Sequence, residues 1–242
     1  MSKNDVVISV KDFVMKFGSK KVVDGLSFEV KRGEVFGFLG SNGSGKTTTL
    51  RALLGVFEPT SGELLVNGQK FEPASVRLGY LPEERGLYKK ESVFDVMKYF
   101  ADLKGVKNAA KWINNYLKRV DLDSMAKSRI ETLSGGQQQK IQLGVTIMGE
   151  PDILILDEPT KGFDPVNRRL LNDLIEAEHK RGATILMISH DMEEVEKTCD
   201  RILLLKNGKA EAYGEISEVK KQFGLRSLDD IFVKVYGGGS NG

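Results

Sequence analysis

Apolar and polar positions alternate through VVISVKDFVMKF and again through KVVDGLSFEV, with Gly18 between the two runs. A period of two puts alternate side chains on one face, so the pattern predicts two antiparallel strands turning near Gly18. A steeper apolar run, Val35 to Leu39, leads into a glycine-rich loop. Beyond the loop Leu50, Leu53, Leu54 and Phe57 recur at helical spacing, and Pro59 with Gly62 closes the segment. Glu63 to Val66 followed by Asn67-Gly68 predicts one side of a hairpin with a tight turn.

The pattern turns helical over 92–149. Phe94, Met97, Phe100 and Ala101 make one apolar face, and Trp112, Ile113, Tyr116 and Leu117 make another, which reads as core packing rather than a cofactor site. From Pro151 strands and helices alternate again: ILILD, a helix holding Leu170, Leu171, Leu174 and Ile175, then ATILMIS, a short helix and RILLL. The runs ILIL and ILMI are apolar on both faces, as strands of a buried parallel sheet are. Asn207-Gly208 predicts a last hairpin, and the GGGSNG tail from Gly237 a flexible end. No internal repeat is present. The fold class is therefore α/β: a core with a mostly parallel sheet, an antiparallel β layer and an inserted helical subdomain.

Composition narrows the picture without redirecting it. With 242 residues, 40% hydrophobic and 29% charged, the chain suits a globular protein with a sizeable core. No stretch approaches the roughly 18 unbroken apolar residues of a membrane span, and the N-terminus does not read as a signal peptide, so a cytoplasmic protein is expected. Net charge is +2, from 36 basic and 34 acidic residues that are interspersed. A nucleic-acid partner would normally show a basic stripe, and none is expected here. One cysteine, Cys199, excludes an internal disulfide and reads as a small buried hydrophobe.

The chemistry lies in three strings. Gly40-Ser41-Asn42-Gly43-Ser44-Gly45-Lys46-Thr47, continued by Thr48, matches the P-loop pattern between a predicted strand and a predicted helix. Glycines let the backbone curl so that successive N–H groups face oxyanions, and the helix start adds its positive dipole end. Lys46 would neutralise the outer phosphates and Thr47 would ligate magnesium. Asp157 and Glu158 follow the buried ILIL run, where open α/β sheets hold their ligands. Asp157 would hold the metal through its water shell, and Glu158 would polarise an attacking water. The third string, Ser134-Gly135-Gly136-Gln137 after Leu133, precedes another helix. It reads either as an N-cap with a flexible approach or as a second set of uncovered amides fitted to a phosphate.

The LSGGQ string has its serine, Ser134, 87 positions after Thr47 and 23 before Asp157. With the other two strings it makes the chain similar, over nearly its whole length, to the ATP-binding cassette (ABC) family of transporter ATPases. The resemblance implies a P-loop NTPase core with its β layer over about 1–85 and 146–215, a helical lobe over about 86–145, a helical tail over about 216–236 and a flexible end, 237–242. It implies ATP and Mg2+ as ligands, and a membrane permease as partner, with the chain peripheral on the cytoplasmic face. It also implies a homodimer or heterodimer, each ATP lying between the phosphate loop of one subunit and Ser134 to Gln137 of the other. Phe17 stands where the family usually stacks a ring on adenine, though a strand core role fits it too. Asp164 in KGFDP corresponds to a residue touching the partner subunit, and His190 in ISHDMEE to the switch histidine of the γ-phosphate.

Two departures accompany the match. Glu83, in GYLPEER, stands where most relatives carry glutamine; it can still ligate metal and couple to transport. Its added charge near a triphosphate needs an offset from the metal or Arg85. Lys161 and Phe163 replace the commoner serine and leucine. The LPEERGLY string resembles a subset of these ATPases paired with export permeases, including sodium and drug efflux types. The expected function is ATP hydrolysis powering export through a separate permease. Of the alternatives, a soluble ABC ATPase on ribosomes or DNA is expected to carry a second cassette or a long insertion, which this sequence does not show, and a nucleotide sensor without turnover conflicts with the intact Lys46, Asp157, Glu158 and His190.

Overall fold

The computed structural model describes residues 5–73, 75–84 and 86–237. Arg85 and the tail beyond Gly237 lie outside them. Contacts divide the chain into two compact units, one running to Val76 and resuming at Gly182, the other Arg77–Arg181. The first holds β1 (Val6–Phe17), β2 (Lys20–Lys31), β3 (Val35–Leu39), α1 (Lys46–Leu53) and β4 (Ser61–Val66). The second holds β5 (Leu78–Leu81), α2 (Val93–Leu103), α3 (Ala109–Arg119), α4 (Gly135–Ile147), β6 (Ile153–Asp157) and α5 (Pro165–Arg181). The chain then returns to the first unit with β7 (Thr184–Ile188), α6 (Met192–Thr198), β8 (Arg201–Lys206), β9 (Lys209–Glu215), α7 (Ile216–Phe223) and α8 (Leu228–Gly237).

In the first unit β1 and β2 run antiparallel and turn at Gly18, whose φ of 59° suits glycine. A bulge at Lys11 and Asp12 lets Val10 and Phe13, three apart, both face the core. The turn predicted at Asn67-Gly68 forms, with both residues at positive φ, but its second arm is one bridge from Val66 to Gln69. β4 pairs instead with β1, giving the order β2-β1-β4. The other sheet of this unit sets β3 between β7 and β8, both parallel to it, with β9 antiparallel beyond β8 across the Asn207-Gly208 turn. Phe28 of β2 packs on Phe36 and Phe38 of β3 at 5.7 and 5.6 Å between rings.

On the opposite face of β3, Gly37 lets α6 approach; a Cβ there would lie 3.0 Å from Val195 and 3.2 Å from Cys199. Burial pushes the Cys199 thiol up to about 12, so it behaves as a packed, unreactive side chain. α7 and α8 complete this layer, burying Val219, Leu228, Ile231 and Val235 with Leu39, Ile202 and Leu204.

In the second unit β5 and β6 are parallel, with Leu81 opposite Leu156. The buried stripe of α2 is Val93, Val96, Met97 and Ala101, while Phe94 and Phe100 flank it half-buried. The stripe is thus rotated slightly from the face the aromatics suggested. Tyr116 lays its ring on Gly144, where a Cβ would come within 2.3 Å, and donates to the Lys140 carbonyl at 2.5 Å. Lys104 extends an exposed stem but draws its ammonium under the last carbonyls of α4, donating to Val145, Thr146 and Met148 oxygens at 2.6, 3.2 and 3.3 Å. That burial lowers the Lys104 ammonium to about 8.

Candidate functional site

Sequence and geometry meet first at the loop leaving β3. Gly40, Gly43 and Gly45 adopt φ of 153°, 76° and 113°, conformations that L side chains rarely take. Space is as restrictive as torsion: a Cβ on Gly40 would lie 2.5 Å from both the Leu205 carbonyl and Ser44 Oγ. The loop is braced from within by Ser44 N–H donating to the Ser41 carbonyl at 3.2 Å, and from β8–β9 by Gly208 N–H donating to the Ser44 carbonyl at 2.9 Å. Lys46 Nζ donates to the carbonyls of Gly40 and Ser41 at 2.6 and 3.0 Å.

Two features make this loop fit an oxyanion. No side chain caps α1, whose N-cap is Gly45, so no capping side chain competes with a ligand at the helix start. Ser44 is buried at 3% exposure, and its hydroxyl has no hydrogen-bond partner among the described residues. Thr47 is exposed on the first turn and Thr48 half-buried behind it. The predicted helix is shorter than its apolar spacing suggested. Gly55, at φ 70°, ends it, leaving Val56 64% exposed and freeing Phe57 from the helix.

Phe57 instead packs edge-to-face with Phe17, 5.4 Å between ring centroids at 78°. Phe17 is 46% exposed, so it is not a strand core residue and keeps ring surface open to solvent. His190 is exposed just past β7. Since Phe38 and Ile188 are register partners on parallel strands, the loop at Gly40 and the segment Ser189-His190 both follow the carboxyl ends of adjacent strands. Asp191 caps α6, accepting from Glu194 N–H at 3.0 Å, and His190 helps line a cavity of about 600 Å³ with Met192, Glu196 and Ser227.

The second unit repeats this logic. Leu81 and Leu156 are register partners, so Glu83 and the Asp157–Glu158 pair both follow the carboxyl ends of adjacent parallel strands. Asp157 is buried at 5% exposure, whereas Glu158 is half-buried with φ 52°, a left-handed conformation that is strained for a non-glycine residue. Glu83 Oε1 accepts from Lys161 Nζ at 2.6 Å. Its hydrogen bond holds the Lys161 ammonium above its ordinary value, with the Glu158 and Asp157 charges adding to the effect.

Ser134 caps α4 in a complete capping box: Gln137 N–H donates to Ser134 Oγ at 3.3 Å, and Ser134 N–H to Gln137 Oε1 at 2.8 Å. Gly135 and Gly136 carry no side chain over the helix start, and Gly136 lies close to the Phe163 ring, where a Cβ would be 3.3 Å away. Asp164 caps α5, accepting from Val166 and Asn167 N–H groups at 2.9 and 3.0 Å. The predicted residues therefore fall into two sets. Phe17, Gly40 to Thr48 and His190 belong to the first unit; Glu83, Ser134 to Gln137, Asp157, Glu158 and Asp164 belong to the second.

Among the described residues no group of three or more His, Cys, Asp or Glu side chains forms a metal cluster. Two residues stand out that the sequence did not single out in these roles. Lys161 is the partner of Glu83, and Tyr236 bonds the Ser41 amide at 3.0 Å. The only signal for the first was that both members of the pair depart from the family pattern; for the second there was none.

Residues 23–161 match the family model described as ABC transporter. An uncharacterised ABC transporter ATP-binding protein of Methanocaldococcus jannaschii is 46% identical, over 92% of this chain and 83% of its own. The linearmycin resistance ATP-binding protein of Bacillus subtilis is 34% identical, over 94% of this chain and 75% of its own. A solved structure of an ATP binding subunit of an ABC transporter superposes with TM-score 0.86 at 29% identity, covering 94% of this chain and 98% of that one.

Proposed function

The chain belongs to the ABC transporter family as an ATP-binding subunit, and on that premise we propose that it hydrolyses ATP, with magnesium, to drive export through a separate membrane permease. Proteins of this family bind ATP, hydrolyse it to drive transport and work with membrane permease components. The observation that carries the reading is the loop at 40–47, with its uncapped helix start and the buried hydroxyl of Ser44, which has no hydrogen-bond partner among the described residues. Export rather than import is supported by the likeness to a resistance ATPase. Among the described residues no helix is long and apolar enough to cross a membrane; in this proposal the permease supplies the membrane path and the chain sits against it on the cytoplasmic side.

Each residue has a task in this reading. The loop amides of Gly43 to Thr47 cradle the phosphates, and Lys46 neutralises the outer ones. Phe17, with its ring partly exposed, offers a stacking surface to adenine. Glu158 accepts the proton of the attacking water, and His190 donates to the γ-phosphate. Thr47 and Asp157 supply an exposed hydroxyl and a buried carboxylate, with Glu83 as a third oxygen donor. Hard oxygen ligands of this kind suit Mg2+, which keeps much of its shell as water and phosphate oxygens and needs no all-protein cage. When bound it neutralises charge on the phosphates and orients them. Segment 86–145 acts as the lobe that presents the signature, and the remainder acts as the ATPase core with its C-terminal tail.

Two copies work together in this proposal. Ser134 to Gln137 of one subunit meet the ATP held by the loop of the other, and Asp164 contributes to the subunit contact. The capping box is compatible with that role, because it secures Ser134 and Gln137 while leaving Gly135 and Gly136 bare. Steady-state phosphate release from the purified protein with ATP and Mg2+ tests the reading. Turnover abolished by Lys46→Ala supports it, and absence of turnover in the wild type, alone and with the copurified permease, overturns it.

A further inference from the structure

The geometry points to Tyr236 as a positioning residue of the phosphate loop, through which the C-terminal helix α8 sets the affinity of the ATP site; this rests on the ATP reading above. The Ser41 N–H donates to the Tyr236 hydroxyl at 3.0 Å, and that hydroxyl donates onward to the Leu205 carbonyl of β8. Donor and acceptor capacities of the phenol are both used. Ser41 is held at its other end too, where Lys46 Nζ and Ser44 N–H both bond its carbonyl. The residue that opens the curl is thus pinned on both sides.

This contact depends on glycine. A Cβ on Gly40 would lie 3.2 Å from the Tyr236 oxygen, besides striking Leu205 and Ser44. The hydroxyl reaches the loop from a helix that is firmly seated. Leu228, Ile231 and Val235 are buried against Leu39, Ile202 and Leu204. The Tyr236 ring packs on Phe232 at 4.4 Å, Lys206 lies 5.8 Å from its centroid, and Lys206 Nζ donates to the Val235 carbonyl. β8, α8 and the loop are therefore joined through one side chain 195 positions from Ser41.

A preorganised anion cradle binds more tightly than one that must be ordered by its ligand. Ser41 opens the loop ahead of the phosphate-cradling amides at Gly43 to Thr47, so the tyrosine holds the curl without competing for phosphate. Coupling of this kind is reciprocal, so ATP must in turn stabilise α8.

Tyr236→Phe keeps the ring and removes the hydroxyl. In the full chain KM for ATP is expected to rise about three- to tenfold, the worth of one hydrogen bond, with kcat within about twofold. Hydrogen exchange adds a readout that a packing role alone leaves untouched: ATP slows exchange over 228–237 in the wild type and fails to do so in the variant. Lys206→Met, which removes the tie to Val235, is expected to shift KM the same way. A KM unchanged or lowered in Tyr236→Phe overturns the inference, as does a lower Tm with ATP-dependent protection of α8 intact. A wild type without phosphate release or ATP-dependent protection over 40–47 overturns the ATP reading itself and separates the two failures.

Discussion

Lys161 Nζ lies 2.6 Å from Glu83 Oε1, joining two of the three positions, Phe163 being the third, that the sequence marks as departures from the family pattern. The pair bridges 78 positions and is solvent-exposed on both sides, so it adds little to stability. Its value lies in charge. A glutamate in place of the family's glutamine adds a negative charge beside Asp157 and Glu158, and Lys161 offsets it. Lys161→Ala is therefore expected to raise KM for ATP about three- to tenfold through uncompensated repulsion, and adding Glu83→Gln is expected to restore it. Additive effects of the two substitutions in a double-mutant cycle would show that the charges do not compensate each other.

Ser44 makes a prediction of opposite sign for the two states of the loop. A buried hydroxyl without a partner costs about 1–3 kcal/mol, a cost that a phosphate oxygen would relieve. Ser44→Ala is expected to raise the Tm of the nucleotide-free protein while shrinking the further rise produced by ATP. Differential scanning fluorimetry with and without ATP measures both; an undiminished ATP shift would take Ser44 out of the cradle.

Asp164 gives a pH dependence. Bonds from Asn167 and Val166 hold its carboxyl below its ordinary value of 3.8. A carboxyl depressed in the folded state stabilises above its unfolded value, and the contribution is lost as pH falls through the folded one. The Tm gap between wild type and Asp164→Ala should be full at neutral pH and close below pH about 4. Asp164→Asn retains a cap without that dependence. A gap that persists unchanged into acid would contradict the assignment.

Gly144→Ala places a methyl within 2.3 Å of the Tyr116 ring and must displace it, together with its hydrogen bond to the Lys140 carbonyl. Overpacking of this kind costs about 1–3 kcal/mol. Urea unfolding should show a lower midpoint, and an unchanged midpoint would mean that α3 moves aside freely.

Most of this architecture was legible along the chain because local signals and burial agreed. Fully apolar strands such as ILIL and the glycine spelling of the loop each carry their meaning within a few residues. Three kinds of feature escaped. The end of α1 depended on Gly55 overriding an apolar spacing that ran on to Phe57. β4 chose β1 over the arm beyond its own turn, a choice set by the sheet rather than by Asn67-Gly68. The pairings Glu83–Lys161 and Ser41–Tyr236 depend on strand register and helix docking across long separations, which no local pattern encodes.

Glu158 sits at the strained turn after β6, and the proposed hydrolysis assigns it the proton of the attacking water. The most direct measurement is ATP binding alongside steady-state phosphate release for Glu158→Gln. Retained ATP affinity, turnover at least about 100-fold slower and accumulation of an ATP-bound dimer are predicted; turnover equal to the wild type would contradict the account.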